Sequence, residues 1–318
     1  MNKKGQVLMV IVWILVILTV LAVTLGHRVS MALKISSFRR DAVVSLALAK
    51  AGISRAVAEL EQDKNKYDSL LESWAGNESL FSKILLPGEV RGFAGVGFIR
   101  IDGLDRQRVW GMVDEERKIN INTASPEVLL VLLARNGIPE PDRLVRNILI
   151  WRGDLPDIEK VYEELGYTAK GHLFGCIEEL KVVKGMSEKY YEKIRDFVTV
   201  HGAGIININT VSGDVLGILC RGAAMGLSVD SGIGDSVADK IIKERISKGF
   251  WAEIEDMKKD MDIVLTTAEE RNIFNRLAAG CVSENFLIEA SGNIGKIKKT
   301  ITVVYNRKIN RIIFRHEY

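Results

Sequence analysis

Two acidic runs are the first places in this sequence where side chains could do chemistry. Asp114-Glu115-Glu116 and Asp154…Asp157…Glu159 offer carboxylate oxygens, the ligand type that calcium takes. Neither spacing matches a fixed calcium loop. Both runs therefore read first as solvated faces, and no other cofactor is indicated. The four histidines, His27, His172, His201 and His316, include no HExxH pair, and there is no serine elbow or P-loop. Gly92…Gly95-Val96-Gly97 lacks the strand-then-helix setting of a dinucleotide site and reads as a turn into a strand. Cys176, Cys220 and Cys281 stand far apart without a CxxC pair, which argues against zinc and allows at most one intrachain disulfide. No catalytic residue emerges, so the expectation is a non-enzymatic protein.

Phosphate binding is the other chemistry to weigh. Gly232-Ile-Gly-Asp-Ser-Val-Ala-Asp-Lys-Ile241, and more weakly Lys184-Gly185-Met186-Ser187 ahead of 188–198, have the form of helical hairpins. In such hairpins, loop amides at a helix N-terminus hold phosphate. Over this stretch the chain resembles the helical-hairpin domains of membrane-tethered competence DNA receptors. Yet Asp235, Asp239 and Glu188 stand at those helix starts, where they would repel phosphate, and no Lys/Arg cluster compensates. The net charge is only +3, from 44 Lys+Arg against 41 Asp+Glu, so no global basic field draws nucleic acid. A membrane-anchored DNA-binding receptor or competence pseudopilin is the alternative reading, and nucleic acid is not the expected partner.

The elements that would position these residues begin at the membrane. With 47% hydrophobic and 27% charged residues, the chain is neither a disordered tail nor a polytopic membrane protein. From Gln6 to Leu25 there is no charge, and twenty helical residues span about 30 Å, a bilayer core. The run is too long for the apolar core of a signal peptide, and no small-x-small cleavage site follows. The helical pattern also continues: Ile35, Phe38, Ala42, Leu46, Ala49, Ile53, Val57 and Leu60 recur at steps of three and four. Together these predict one helix of about 55 residues, half in lipid and half amphipathic. Arg28, Lys34, Arg39 and Arg40 follow the span, and charge counting alone would place them in the cytoplasm.

Beyond an irregular 63–92, strand-like alternation appears at 97–101 and 108–113, then only at the far end, at 286–289, 298–305 and 310–314. Strands at both ends with helices between them predict an α+β fold: one antiparallel sheet interrupted by a helical insert, roughly 118–283. The insert repeats itself. Ile119-Asn-Ile-Asn-Thr-Ala-Ser-Pro-Glu-Val-Leu129 matches Ile206-Asn-Ile-Asn-Thr-Val-Ser-Gly-Asp-Val-Leu216, Ile148…Arg152 matches Ile241…Arg245, and Ile177-Glu-Glu-Leu180 matches Ile254-Glu-Asp-Met257. The motif reads as structural. Ser125 and Ser212 cap a helix, Pro126 suits its first turn, and Glu127 and Asp214 face the positive dipole end. Asn120, Asn122, Asn207 and Asn209 would tie the preceding backbone by local hydrogen bonds. Two small helical units are expected, each with one long loop and the second with a turn at Gly232-Ile233-Gly234.

The order Lys3-Lys4-Gly5, Gln6, then an apolar run resembles the N-terminus of type IV pilin-like proteins. That resemblance implies cleavage by a prepilin peptidase after Gly5 and methylation of Gln6. Most pilins carry a glutamate at the fifth mature position, where it meets the terminal amine of the subunit above. Here that position is Val10, which suits a subunit with nothing above it. With Asp114-Glu-Glu-Arg-Lys-Ile-Asn-Ile-Asn-Thr123, its second Ile-Asn-Ile-Asn-Thr and the terminal strands, the chain is similar to the protein K family of minor pseudopilins of type II secretion systems. The resemblance implies a leader at 1–5, a transmembrane half-helix at 6–26, an amphipathic stalk at 27–62 and a pseudopilin domain at 63–117 completed by 284–318. It also implies two SAM-like or helix-hairpin-helix units at 118–200 and 201–283, with Asp154, Asp157 and Glu159 as calcium candidates in an acidic loop of this helical part. The implied place is the inner membrane, single-pass, with the bulk periplasmic. The implied partners are other minor pseudopilins, met through the Ile35–Leu60 face, the major pseudopilin, and the outer-membrane channel or secreted cargo.

Overall fold

In the computed structural model, which describes residues 3–88, 91–102, 105–158 and 160–317, α1 (Lys3–Gln62) is one unbroken helix of 60 residues. It is long and apolar enough to cross a membrane, and 27–40 beyond the apolar run are exposed as well. From Asp41 onward one face is covered. Leu48, Ala49, Ala56 and Leu60 are almost wholly buried.

The cover is a six-stranded antiparallel sheet. After α2 (Glu78–Phe81) come β1 (Phe93–Asp102), β2 (Asp105–Trp110) and β3 (Val113–Asp114). The chain then departs into the helical insert and returns as β8 (Asn285–Ile294), β9 (Ile297–Asn306) and β10 (Arg311–Glu317). The order is β10-β9-β8-β1-β2, with β3 beside β8 below β1. Asp114 pairs with Phe286, so the insert leaves the sheet and rejoins it on adjacent strands. The strand period of two puts Phe286, Ile288 and Ala290 of β8 and Ile301, Val303 and Tyr305 of β9 on the face toward α1. The helix approaches closely enough that a Cβ on Gly292 would lie 1.8 Å from the Ser45 carbonyl oxygen, so only glycine fits there. Ser45 fixes the contact by donating to the Gly292 carbonyl (2.8 Å) and accepting from the Lys299 amide (3.0 Å).

The insert holds two units of like construction. In the first, β4 (Ile119–Asn120), α3 (Pro126–Arg135), α4 (Pro141–Arg152) and α5 (Glu188–Ile194) lead to β5 (Val198–Thr199), which pairs with β4 in parallel. In the second, β6 (Ile206–Asn207), α6 (Gly213–Gly226), α7 (Ser231–Lys248), α8 (Ile254–Val264) and α9 (Ala268–Arg276) lead to β7 (Ala279–Gly280), which pairs with β6 in parallel. Their apolar residues form one contiguous core running from Ile119 to Cys281.

Two local expectations are corrected. Gly232-Ile233-Gly234 is not a turn but the first turn of α7, because Asp230 caps it, its carboxylate accepting from the Gly232 amide (2.6 Å). A glycine is needed at 234 because a Cβ there would lie 2.8 Å from the Cys220 carbonyl oxygen of α6. Gly95 and Gly97 lie inside β1 rather than in a turn before it. Residues 63–88 are largely irregular, as expected, and carry the buried Trp74 and Phe81 against the sheet core.

Candidate functional site

Two parts of the molecule could carry function: the free upper half of α1 and the joint where the insert meets the sheet. In α1, Gly5 and Gln6 lie in the first turns and are exposed, and Val10 follows at 57% exposure on the apolar span. The stripe expected to meet partner helices divides. Ile35 and Phe38 are exposed (46% and 62%), Ala42 and Leu46 are half-buried, and Ala49 and Ile53 are buried. Ala49 and Ile53 are therefore corrected: they pack on the protein's own sheet and are not available to another helix. Only the part above Asp41 is free.

At the joint, Asp114 ends β3 fully buried, and a short 3-10 turn, Glu115–Arg117, follows it. The reading of Asp114-Glu115-Glu116 as a solvated face is wrong: their exposures are 0%, 4% and 6%. Each carboxylate has donors. One Asp114 oxygen accepts from Thr210 Oγ1 (2.5 Å), Ser283 Oγ (2.7 Å) and Asn207 Nδ2 (3.2 Å), and the other from the Glu116 amide (2.8 Å). Glu116 accepts from the Asn285 side chain (2.7 Å) and amide (3.1 Å). Glu115 takes Lys118 (2.6 Å) and Thr199 (2.5 Å). These bonds join both ends of the insert, its second repeat and the first strand of the returning chain. Burial pushes the Asp114 carboxyl above its ordinary range. It pushes Glu116 to about 8, with the neighbouring Asp114 charge adding to the rise.

The 63–72 loop adds a second cluster that sequence reasoning missed. Asp63, Asp68 and Glu72 each bring a carboxylate oxygen within 4.8 Å of the others, a grouping that could hold a metal ion. Arg307 already serves it as a cation, donating to Asp68 (2.6 Å), to Asp63 (3.2 Å) and to the Ser283 carbonyl (2.9 Å). Burial raises Asp68 to about 6 against the opposing pull of Arg307, and one of its oxygens has no hydrogen-bond partner among the described residues. No spacing in the sequence announces this group, since Arg307 lies 239 residues from Asp68.

The calcium candidates fare differently. Asp154 is occupied by Arg152, and Asp157 accepts from the Val161 amide (2.7 Å) and the Tyr162 amide (3.4 Å), capping the chain after it. Glu159 lies outside the described residues. Asp154 and Asp157 are thus engaged by protein donors. The hairpin amides are engaged too. Asp230 and Ser187 fill the N-termini of α7 and α5, and Asp235 forms a two-point pair with Arg221 (2.5 Å for each bond). A phosphate arriving at α7 would meet these carboxylates first. A cavity of about 260 Å³ lies between the two units, lined by Val128, Leu216, Leu219 and Leu277 with Glu127 and Arg276. The three cysteines are free thiols.

No protein-family model matches the chain, and no curated protein matches it in sequence. Among solved structures, a chain of the GspK-GspI-GspJ complex from the type 2 secretion system of enterotoxigenic Escherichia coli is similar, with a TM-score of 0.61. The identity is 15%, and the match covers 90% of this chain and 98% of that one. Such coverage leaves room to omit neither the sheet nor the helical insert. The likeness is one of fold: long apolar helix, antiparallel sheet and interrupting helical insert make an α+β, pseudopilin-like fold.

Proposed function

We propose that this chain is a minor pseudopilin of a type II secretion system, a non-enzymatic subunit at the tip of the pseudopilus. The observation that carries this reading is the fold likeness, over nine-tenths of the chain, to a chain of a complex built from three type 2 secretion proteins. The apolar half of α1 supports a single-pass inner-membrane anchor with the sheet and insert in the periplasm. Gly5 and Gln6 suit prepilin peptidase cleavage and methylation. Val10 suits a subunit whose neighbours lie only below it, since an unmatched carboxylate at that depth would cost about 2–3 kcal/mol. In this reading the neighbours are other minor pseudopilins and the major pseudopilin, and the bulky insert faces the outer-membrane channel or cargo.

The experiment is co-purification of the full chain, in detergent, with each minor pseudopilin encoded beside it, run with a duplex-DNA titration at several salt concentrations. The expected result is a stable complex with at least one pseudopilin and feeble DNA binding. Tight binding to DNA that falls steeply with salt would replace this reading with the membrane-anchored receptor.

A further inference from the structure

Along α1, one apolar row has two fates. Below Asp41 the sheet covers it at Ala49 and Ile53. Above Asp41 the same row continues as Met31, Ile35 and Phe38, at steps of four and three, with exposures of 46%, 46% and 62%. The surface that the protein buries against its own sheet therefore extends past the end of that sheet, and no described residue covers it.

The borders of this free stripe are basic. Arg28 and Arg39 are three helical turns apart and lie in one row; Arg39 stands four residues after Ile35 and three before Ala42, at the stripe's edge. Lys34 stands three residues after Met31 and four before Phe38, at the opposite edge. Among the described residues, Arg28, Lys34 and Arg39 make no ion pair or hydrogen bond. Asp41 is the only acidic residue before Glu59, and Arg40 holds it at 3.1 Å.

What covers such a stripe is constrained by the span beneath it. A helix sharing the membrane with α1 and lying alongside it in the same sense emerges at the same height. A second copy docked face to face in parallel would set the Arg28–Arg39 edge of each helix against the Lys34 edge of the other, so like charges would oppose it. A helix whose apolar row is bordered by Asp or Glu would instead satisfy all three cations. Its acids would be separated by about 16 Å along the axis, the rise of eleven helical residues. We infer that the Met31–Phe38 stripe docks the acid-bordered helix of a different membrane-anchored subunit and disfavours a second copy of this chain. The inference rests on the pseudopilin reading for the shared, parallel membrane insertion, and goes beyond it by stating the charge pattern of the neighbour.

The test uses the labelled full chain in neutral phosphatidylcholine vesicles and two synthetic peptides of residues 3–45, read by energy transfer. One peptide has the native sequence; the other carries Arg28→Glu, Lys34→Glu and Arg39→Glu. The acid-bordered peptide is expected to bind roughly fivefold to tenfold more tightly than the native one at low salt, with the gap closing in high salt. Arg28→Glu, Lys34→Glu and Arg39→Glu together in the full chain should reverse the ranking, and Phe38→Ser should weaken both peptides. Equal or stronger binding by the native peptide, or no binding by either, overturns the inference. No other secretion subunit is in the vesicles, so that failure leaves the pseudopilin reading to the co-purification, and the reverse holds as well.

Discussion

In the first helical unit, Arg152 donates through one guanidinium nitrogen to the carbonyls of Ile121 (2.6 Å) and Ala124 (3.1 Å); in the second, Arg245 does the same to Ile208 (2.8 Å) and Val211 (2.7 Å). Asn122 exchanges hydrogen bonds with the backbone of Phe174, and Asn209 with that of Trp251. The two units thus clamp their motif with the same residues at the same places. They differ at the first asparagine. The Asn120 amide donates to the carbonyls of His201 (3.0 Å) and Gly202 (2.8 Å), on the link between the units. The Asn207 amide donates to Asp114, to Ser283 and to the carbonyl of Asp68, inside the joint with the sheet. The repeat is a common scaffold, and one position in it has been turned to hold the insert on the rest of the protein.

The largest effect should expose that difference. Asn207→Ala leaves a buried carbonyl without its donor and Asp114 short of one, so a loss of about 2–4 kcal/mol is expected, against about 1–2 kcal/mol for Asn120→Ala. Denaturant unfolding of the full chain in detergent measures both. Equal losses would mean that the joint is no more demanding than the inter-unit link.

Next in size, Arg152→Met and Arg245→Met test the likeness rather than the difference. Each strips donors from two carbonyls behind its motif, and each should cost about 2 kcal/mol. The extra pair between Arg152 and the half-exposed Asp154 should add little. A gap of more than about 1 kcal/mol between the two variants would break the equivalence of the units.

The joint also has a pH signature that the first unit lacks. Glu116 at about 8 and Asp68 at about 6 hold their protons more tightly in the folded chain than in the unfolded one, where carboxylates titrate near 4. The folded state therefore binds more protons across this window. The contribution is fully present below about pH 4 and is lost as pH rises through 6 for Asp68 and through 8 for Glu116. Lowering pH from 8 to 6 should raise the melting temperature by roughly 3–6 °C, about 1–2 kcal/mol, and Glu116→Gln should flatten that rise. A wild-type melting temperature that falls over the same interval would show the joint to be ionised in the folded protein.

Much of the scaffold was legible because its causes are local. The apolar run of α1 and its three-and-four spacing, the alternating terminal strands, and the Ser-capped repeat each carry their own period or cap. The joint was not legible, because burial of Asp114 depends on Ser283 and Asn207, 169 and 93 residues away. Three consecutive acids look solvated until donors arrive from elsewhere. The Asn side chains were expected to tie nearby backbone, and Asn120 and Asn207 do accept from the amides two residues on. Their donating ends, though, reach across the fold. The α1 stripe failed in the same way: its periodicity marks a buried face but not whether the cover comes from the same chain. Gly232 and Gly234 read as a loop because glycine breaks helices by propensity, and the cap at Asp230 with close packing on α6 overrode that preference.

The smallest prediction transplants the one residue at which the two helix starts part. Ser125 and Ser212 each accept from the amide three residues on, Val128 and Val215, at 3.3 Å, so the caps are alike. The next residue is Pro126 in the first unit and Gly213 in the second. At the first helical position proline forfeits no hydrogen bond and brings its backbone angle already set, whereas glycine loses the most conformational freedom on folding. The site accepts the change: Ser212 is extended at ψ 155°, as a residue before proline must be, and a Cβ on Gly213 would meet nothing within 4 Å. Gly213→Pro should therefore stabilise the second unit by about 0.5–1 kcal/mol, seen as a higher denaturant midpoint at unchanged slope. Pro126→Gly should cost a similar amount in the first. If Gly213→Pro destabilised the protein while Pro126→Gly did not, the start of α6 would need a freedom that the start of α3 does not. The two copies would then differ at their caps as well as at their asparagines.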